Sequence, residues 1–323
     1  MSTASRVPET YELTGDDAYA AIKRVRLGRL LADSFHRFRF ADGFSHSRAM
    51  AFQIVLALFP GAIVLIALAV TIHSSTLAAA IPQSADSLAP GPTADLLKEA
   101  LSQGASNGRP AGASALIFGS LAMLVAGVSA MGQVERAANR IYGVESDRPN
   151  FKKYGVATML ALTAGTLSVI YVVLFTAGSA WARQLRNSPW DAIWSIVRWP
   201  LTVALLTISV SLIFKASPRR RQPAFSWLAV GAALAVTGAL GVSLLLRIYV
   251  GASKSFGDTY GPLAGFIGVL LWAYLSSITL FYGLSFAAQL EAVRAGINDP
   301  RSQTRMKETE PESAAPREPS GKF

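Results

Sequence analysis

The chain of 323 residues contains no cysteine. That excludes a disulfide, a thiolate metal site and a cysteine nucleophile. Histidine is almost as scarce: His36, His46 and His73 are too few and too scattered for a histidine-rich metal site. Charge is thin as well. Asp, Glu, Lys and Arg make up 15% of the residues, against about 25% in a soluble domain. No HExxH, GxSxG, Walker or dinucleotide fingerprint occurs, and no deep carboxylate or Asp–His pair supports hydrolysis, so an enzyme, a metal or a cofactor is not expected.

What replaces the missing charge is apolar length. Five windows lack every Asp, Glu, Lys and Arg over at least 24 residues: 49–72, 111–134, 154–182, 222–246 and 259–290. About 20 apolar residues cross a bilayer as a helix. A sixth, shorter window of 16 uncharged residues lies between Arg198 and Lys215. Its flanking cations can snorkel, and Trp190, Trp194 and Trp199 supply an interfacial aromatic cluster. The expectation is an all-α, polytopic, six-transmembrane-helix bundle with spans at 49–72, 111–134, 154–182, 196–214, 224–248 and 261–290 within a domain of 45–295. An outer loop at 73–110 carries one candidate amphipathic helix (TADLLKEALS), and a Pro-, Glu- and Ser-rich tail at 296–323 is expected to be disordered. The first apolar run begins near Ala49, too deep for a secretory leader.

The net charge of +10 raises the question of nucleic acid, and its distribution answers it. Of the 30 Lys and Arg residues, 23 precede the first span or fall in the second and fourth connections and the tail; seven fall on the other side. Basic residues favour the cytoplasm, which predicts a bacterial inner-membrane protein with both termini inside. Aromatic interleaving for a nucleic-acid groove is missing. Residues 1–44 form the cytoplasmic N-terminal segment. There Leu27, Leu31, Phe35 and Phe38 recur at helical spacing among Lys23, Arg24, Arg26, Arg29, Arg37 and Arg39, as in a helix lying on an anionic leaflet.

Within the spans, Pro60 followed by Gly61 removes the hydrogen bond to the Leu56 carbonyl and predicts a kink, either a fixed bend or a hinge. Ala122, Ala126 and Ala130, then Gly231, Ala235 and Ala239, and the pair Gly261–Gly265 predict close helix contacts. Glu135 and Asn139 share one helix face, as do Arg136 and Arg140. The plain reading is a helix end emerging into water; the functional one places Glu135 in a polar cavity open to the cytoplasm. Arg247, near the outer leaflet, either snorkels or contacts a headgroup. Ser276, Ser277 and Thr279 are expected to bond to their own backbone.

Three segments carry a resemblance. Residues 45–68 (SHSRAMAFQIVLALFPGAIVLIAL), residues 133–143 (QVERAANRIYG), and residues 260–290 with Tyr260-Gly261-Pro262-Leu263 and Leu271-Trp272-Ala273-Tyr274 resemble the YihY/BrkB family, once labelled ribonuclease BN. The resemblance implies an inner-membrane protein linked to serum resistance and to movement of envelope lipids. In the last span the family's Gly-Ala-Glu-Leu-Asn-Ala run is replaced by Gly283-Leu284-Ser285-Phe286-Ala287-Ala288, leaving Gln289 or Glu291 to substitute for the lost carboxylate. Two functions follow as expectations: a transporter or translocation factor for a lipid or other amphipathic envelope component, or a scaffold that recruits an envelope-assembly partner protein. Tyr260, Gly261, Pro60, Glu135, Asn139, Arg140 and Arg247 are the candidate functional residues; the oligomeric state is left open.

Overall fold

The computed structural model describes residues 4–10, 12–71, 112–184, 189–252, 263–297 and 299–301. These residues form eight α-helices: α1 (Gly15–Arg24), α2 (Leu27–Phe40), α3 (Gly43–Thr71), α4 (Gly112–Ile141), α5 (Asn150–Gln184), α6 (Pro189–Ala216), α7 (Phe225–Ala252) and α8 (Leu263–Arg294). The outer loop with its candidate helix, the tail from 302 onward, Tyr260 and Gly261 lie outside the described residues.

Each uncharged window falls on one long helix, because an unbroken apolar run without charge has no reason to turn in lipid. Four helices contain segments apolar and long enough to cross a membrane: Ile117–Ile141 in α4, Ile196–Ala216 in α6, Phe225–Tyr249 in α7 and Phe266–Arg294 in α8. The windows at 49–72 and 154–182 lie on α3 and α5, helices of 29 and 35 residues. Pro60 sits inside α3, half-buried, and the helix continues through it to Thr71. A second proline, Pro200, is accommodated inside α6, whose start lies upstream of Arg198.

The six long helices pack in chain order, each chiefly on its predecessor and successor, and α8 closes the ring onto α3. Helix α8 also touches α4, and α2 lies along α8. The α7–α8 contact is backbone on backbone. A Cβ at Gly231 would lie 2.5 Å from the Gly283 carbonyl, and one at Gly283 would lie 2.4 Å from the Gly231 carbonyl and 2.7 Å from Ala235 Cβ. Small residues permit this approach where burial of apolar surface alone does not hold helices together. Further along the same interface Trp272 Nε1 donates to Ser243 Oγ at 3.0 Å. Ser277 donates to the Ala273 carbonyl and Thr279 to the Ser276 carbonyl, as expected, whereas buried Ser276 Oγ has no partner.

The larger buried cluster lies at the end of the ring that carries residues 4–10 and 299–301. There Leu30 and Phe38 of α2, Val134, Ala138 and Ile141 of α4, Trp227 and Leu228 of α7, and Phe281, Leu284 and Leu290 of α8 are all buried in one cluster. By contrast the apolar segment of α6 is only 17% buried, against 39% for α4 and α8. Its exposed Ile196, Trp199 and Ile208 need an apolar medium, which a bilayer supplies.

A polar collar at the terminal end of the bundle

The last two turns of α4 and the residue pair after them organise this end. Glu135, Ala138, Asn139 and Tyr142 are 1% exposed or less, so their polar atoms must be matched inside the protein. Glu135 pairs with Arg148 at 3.2 Å. Arg148, reaching across from the α4–α5 connection, also donates to the carbonyls of Ala216, Ser217 and Pro218 at 3.2, 2.7 and 2.9 Å. A cation at the C-terminus of α6 thereby answers carbonyls that the helix leaves unpaired. The expectation that Glu135 emerges into water is thus overturned: the connections fold back over it and bury it.

Asn139 holds two connections at once. Its Nδ2 donates to Asp147 Oδ1 at 3.0 Å, and its Oδ1 accepts from the Arg219 backbone N–H at 2.7 Å. Asp147 also accepts from Lys153 at 2.9 Å. Burial works against the Asp147 carboxylate, but the Lys153 and Asn139 hydrogen bonds outweigh it and hold its pKa below the ordinary carboxylate value. Asn139 and Glu135 do share one face, as their spacing predicts; Arg136 points outward and Arg140 is half-buried. Arg136 donates to Gln133 Oε1 through Nε and Nη2, at 3.1 and 2.6 Å, and Gln133 Nε2 contacts His46 Nδ1 at 2.8 Å. With Gln133 Oε1 committed to Arg136, its Nε2 donates and His46 Nδ1 accepts, so the imidazole is neutral. Burial, then Asp42 opposing and Arg140 and Arg136 assisting, places the His46 pKa below the usual imidazole value.

A second buried pair sits opposite. Arg220 Nη2 lies 2.6 Å from Glu291 Oε1, with side chains 2% and 0% exposed. The Tyr142 ring lies 4.5 Å from the Arg220 guanidinium, a cation–π contact strengthened by burial. Arg37 completes the set. It is 0% exposed and donates through Nε to Gln289 Oε1 at 2.8 Å and through Nη1 to the carbonyl of Ile141 at 3.1 Å. Its expected contact with lipid is therefore corrected: the face of α2 that carries Phe38 and Arg37 is turned into α8, whereas Lys23, Arg24, Arg26, Arg29 and Arg39 stay exposed.

Residues 4–10 cross this collar as a strap. Ser5 accepts from Arg37 through its carbonyl at 2.9 Å and its hydroxyl at 2.8 Å. The Pro8 carbonyl accepts from Arg220 at 2.8 Å, and Thr10 Oγ1 donates to Glu291. Val7 N–H donates to the Tyr142 carbonyl, Ser5 N–H donates to the Pro300 carbonyl, and Ala4 bridges Arg301 in antiparallel sense. Residues 299–301, expected within a disordered tail, are held by this pairing. Gly143 makes room for the strap: its φ is +69°, and a Cβ there would lie 2.7 Å from Arg6 Cα. Glycine answers both the left-handed backbone and the close approach.

Of the residues singled out from the sequence, the structure brings Glu135, Asn139 and Arg140 to the collar. Pro60 lies inside α3 and Arg247 lies exposed near the far end of α7. Sequence reasoning assigned Arg37 to lipid and singled out none of Arg148, Arg220, Tyr142 and the strap as site residues. The one available signal was the pair Gln289 and Glu291, polar residues closing an apolar helix. Among the described residues no group of three or more His, Asp or Glu side chains is arranged to hold a metal ion.

The family model described as virulence factor BrkB matches residues 34–308. The ribonuclease-like protein YfkH of Bacillus subtilis is 26% identical over 269 residues, covering 78% of this chain and 92% of that one. A UPF0761 membrane protein of Alteromonas mediterranea is 28% identical over 180 residues, covering 54% of this chain and 58% of that one. Another, from Idiomarina loihiensis, is 24% identical over 180 residues, covering 56% of this chain and 63% of the relative. No solved structure matches the chain.

Proposed function

We infer the function from this premise: the chain belongs to the virulence factor BrkB family and is a membrane protein. The reading is a six-span protein of the bacterial inner membrane, with both termini and the polar collar on the cytoplasmic side. It moves a lipid or other amphipathic envelope component between the leaflets or along the bundle. The spans are 49–72, 111–134, 154–182, 196–214, 224–248 and 261–290.

One observation carries this reading. The buried ionic groups described here, Glu135–Arg148 and Arg220–Glu291 with Arg37, are concentrated at one end of a ring whose remaining length is apolar. A small ion would need polar ligands near the midplane. An amphipathic molecule needs an apolar path for its tail and a charged station for its head, and the ring with its collar offers both. The basic residues left exposed on α1 and α2, Lys23, Arg24, Arg26 and Arg29, suit an anionic inner leaflet.

The experiment is reconstitution in liposomes with fluorescent phospholipid and a membrane-impermeant quencher. Translocation predicts that quenching passes beyond the outer leaflet, and that Pro60→Ala and Glu135→Ala slow it. The scaffold reading is favoured if the collar never opens. It predicts lipids left in place and a physiological function that survives both substitutions yet is abolished by removing residues 302–323.

A further inference from the structure

The strap offers only neutral oxygens to a receptor that carries charge. Arg37 receives the Ser5 carbonyl and hydroxyl, and Arg220 receives the Pro8 carbonyl. Two guanidiniums therefore share one paired carboxylate, Glu291, while Asp299 acts on Arg37 without pairing with it, and none of the Arg37, Arg220 and Glu291 side chains is more than 2% exposed. An unbalanced buried cation is costly, and a guanidinium cannot shed its proton to escape. Burial pulls the Arg37 pKa down to about 10, which still leaves it charged at neutral pH.

Around this charge several groups are poorly matched. Arg220 Nη1 has no hydrogen-bond partner, and Tyr142 Oη and the Gln222 amide have no partner beyond the one they face in each other. Tyr142 and Gln222 are 0% and 9% exposed. Three of those groups donate, and they border the guanidinium whose planar fork matches phosphate oxygens. The other oxygen of Glu291, Oε2, is also unpaired. It would repel a dianion, so the matching guest carries a single negative charge.

We propose that Arg37, Arg220, Tyr142 and Gln222 form a receptor for a singly charged phosphate group, which the strap fills with its own oxygens until a phospholipid headgroup replaces it. This rests on the reading of the bundle as a path for an amphipathic lipid, and names the chemistry of its head. The same chemistry would accept free phosphate. The antiparallel bridge between Ala4 and Arg301 supplies the means of testing it. Directly opposed residues in such a pair have Cα atoms about 4.5–5.5 Å apart, inside the roughly 4.4–6.8 Å range of a disulfide. The chain has no cysteine, so Ala4→Cys with Arg301→Cys introduces the sole thiol pair and locks or frees the strap in one folded preparation.

The full chain carrying this pair, in maltoside micelles free of phosphate, is titrated with short-chain phosphatidylglycerol by calorimetry, oxidised and then reduced. The expected result is at least tenfold tighter binding after reduction, most of it lost when Arg220→Lys removes the fork but keeps the charge beside Glu291. Exposed cations contribute equally to both redox states and cancel. Displacement by equimolar inorganic phosphate would uphold the receptor and assign it to the free ion. Equal affinity in both redox states would overturn the proposal, as would a short-chain diacylglycerol showing the same difference. Lipid movement is not read here, so failure of translocation and failure of the receptor remain separate results.

Discussion

Breaking the Arg220–Glu291 pair from either side should give unequal results. In Glu291→Gln, Arg220 and Arg37 remain buried with no carboxylate between them. Loss of one partner from a buried pair costs about 3–5 kcal/mol, and since 1.4 kcal/mol is a factor of ten, the ratio of folded to unfolded protein falls by roughly two to three and a half powers of ten. In Arg220→Gln the carboxylate keeps its bond with Thr10 and still faces the Arg37 guanidinium, so charge stays balanced. Its cost is that of a lost hydrogen bond, about 1–3 kcal/mol. The double substitution replaces the ion pair with two neutral amides and should cost less than Glu291→Gln alone. Denaturant unfolding in detergent, followed by tryptophan fluorescence at mildly acidic and mildly alkaline pH, measures all four corners of the cycle. Additive costs, or an Arg220→Gln deficit as large as that of Glu291→Gln, would refute the picture of a desolvated pair.

Three further outcomes follow from the geometry. Gly283→Ala forces α7 and α8 apart and should cost about 1–3 kcal/mol, seen as a lower melting temperature in detergent; an unchanged melt would show that the helices do not meet backbone to backbone. His46 has a folded pKa below its unfolded value, so its contribution is present above the unfolded pKa of about 6.5 and is lost as pH falls through the folded one. Melting temperature should drop over that acidic window, and His46→Phe, facing Gln133, Asp42, Arg136, Arg140 and the Phe281 ring, should flatten the drop. Gly143→Ala places a Cβ against Arg6 and demands a left-handed backbone; proteolysis within residues 4–10 should accelerate several-fold, and protection equal to the unaltered chain would exclude the tight crossing.

The long helices were legible because the bilayer imposes a rule that sequence states directly: no charge for more than twenty residues. Even the short sixth window proved to lie on a helix of 28 residues, since Arg198 continues the helix instead of ending it. The collar was not legible, for the opposite reason. Arg37 meets Gln289 and Thr10 meets Glu291 across 252 and 281 positions, and no local period records such pairs. Arg37 looked like one more basic residue on a lipid-facing helix because its neighbours at 29 and 39 do face outward. The arginines at 219–221 are adjacent in the sequence, yet they part company: Arg219 binds the Asp147 carbonyl, while Arg220 turns into the core. Motif residues 133–143 were noticed for their likeness to a family, and their physical purpose emerges only once the connections close over them.

The pairing of Ser5 with Pro300 and Asp299 bears on biogenesis. A ribosome makes the strap 294 positions before its partner Asp299, and every long helix is made in the interval. The strap therefore docks long after it is made, and a nascent chain stalled before Asp299 displays an unseated strap and naked guanidiniums. Quality-control proteases that survey the membrane surface would find in that loose end a direct report of unfinished synthesis.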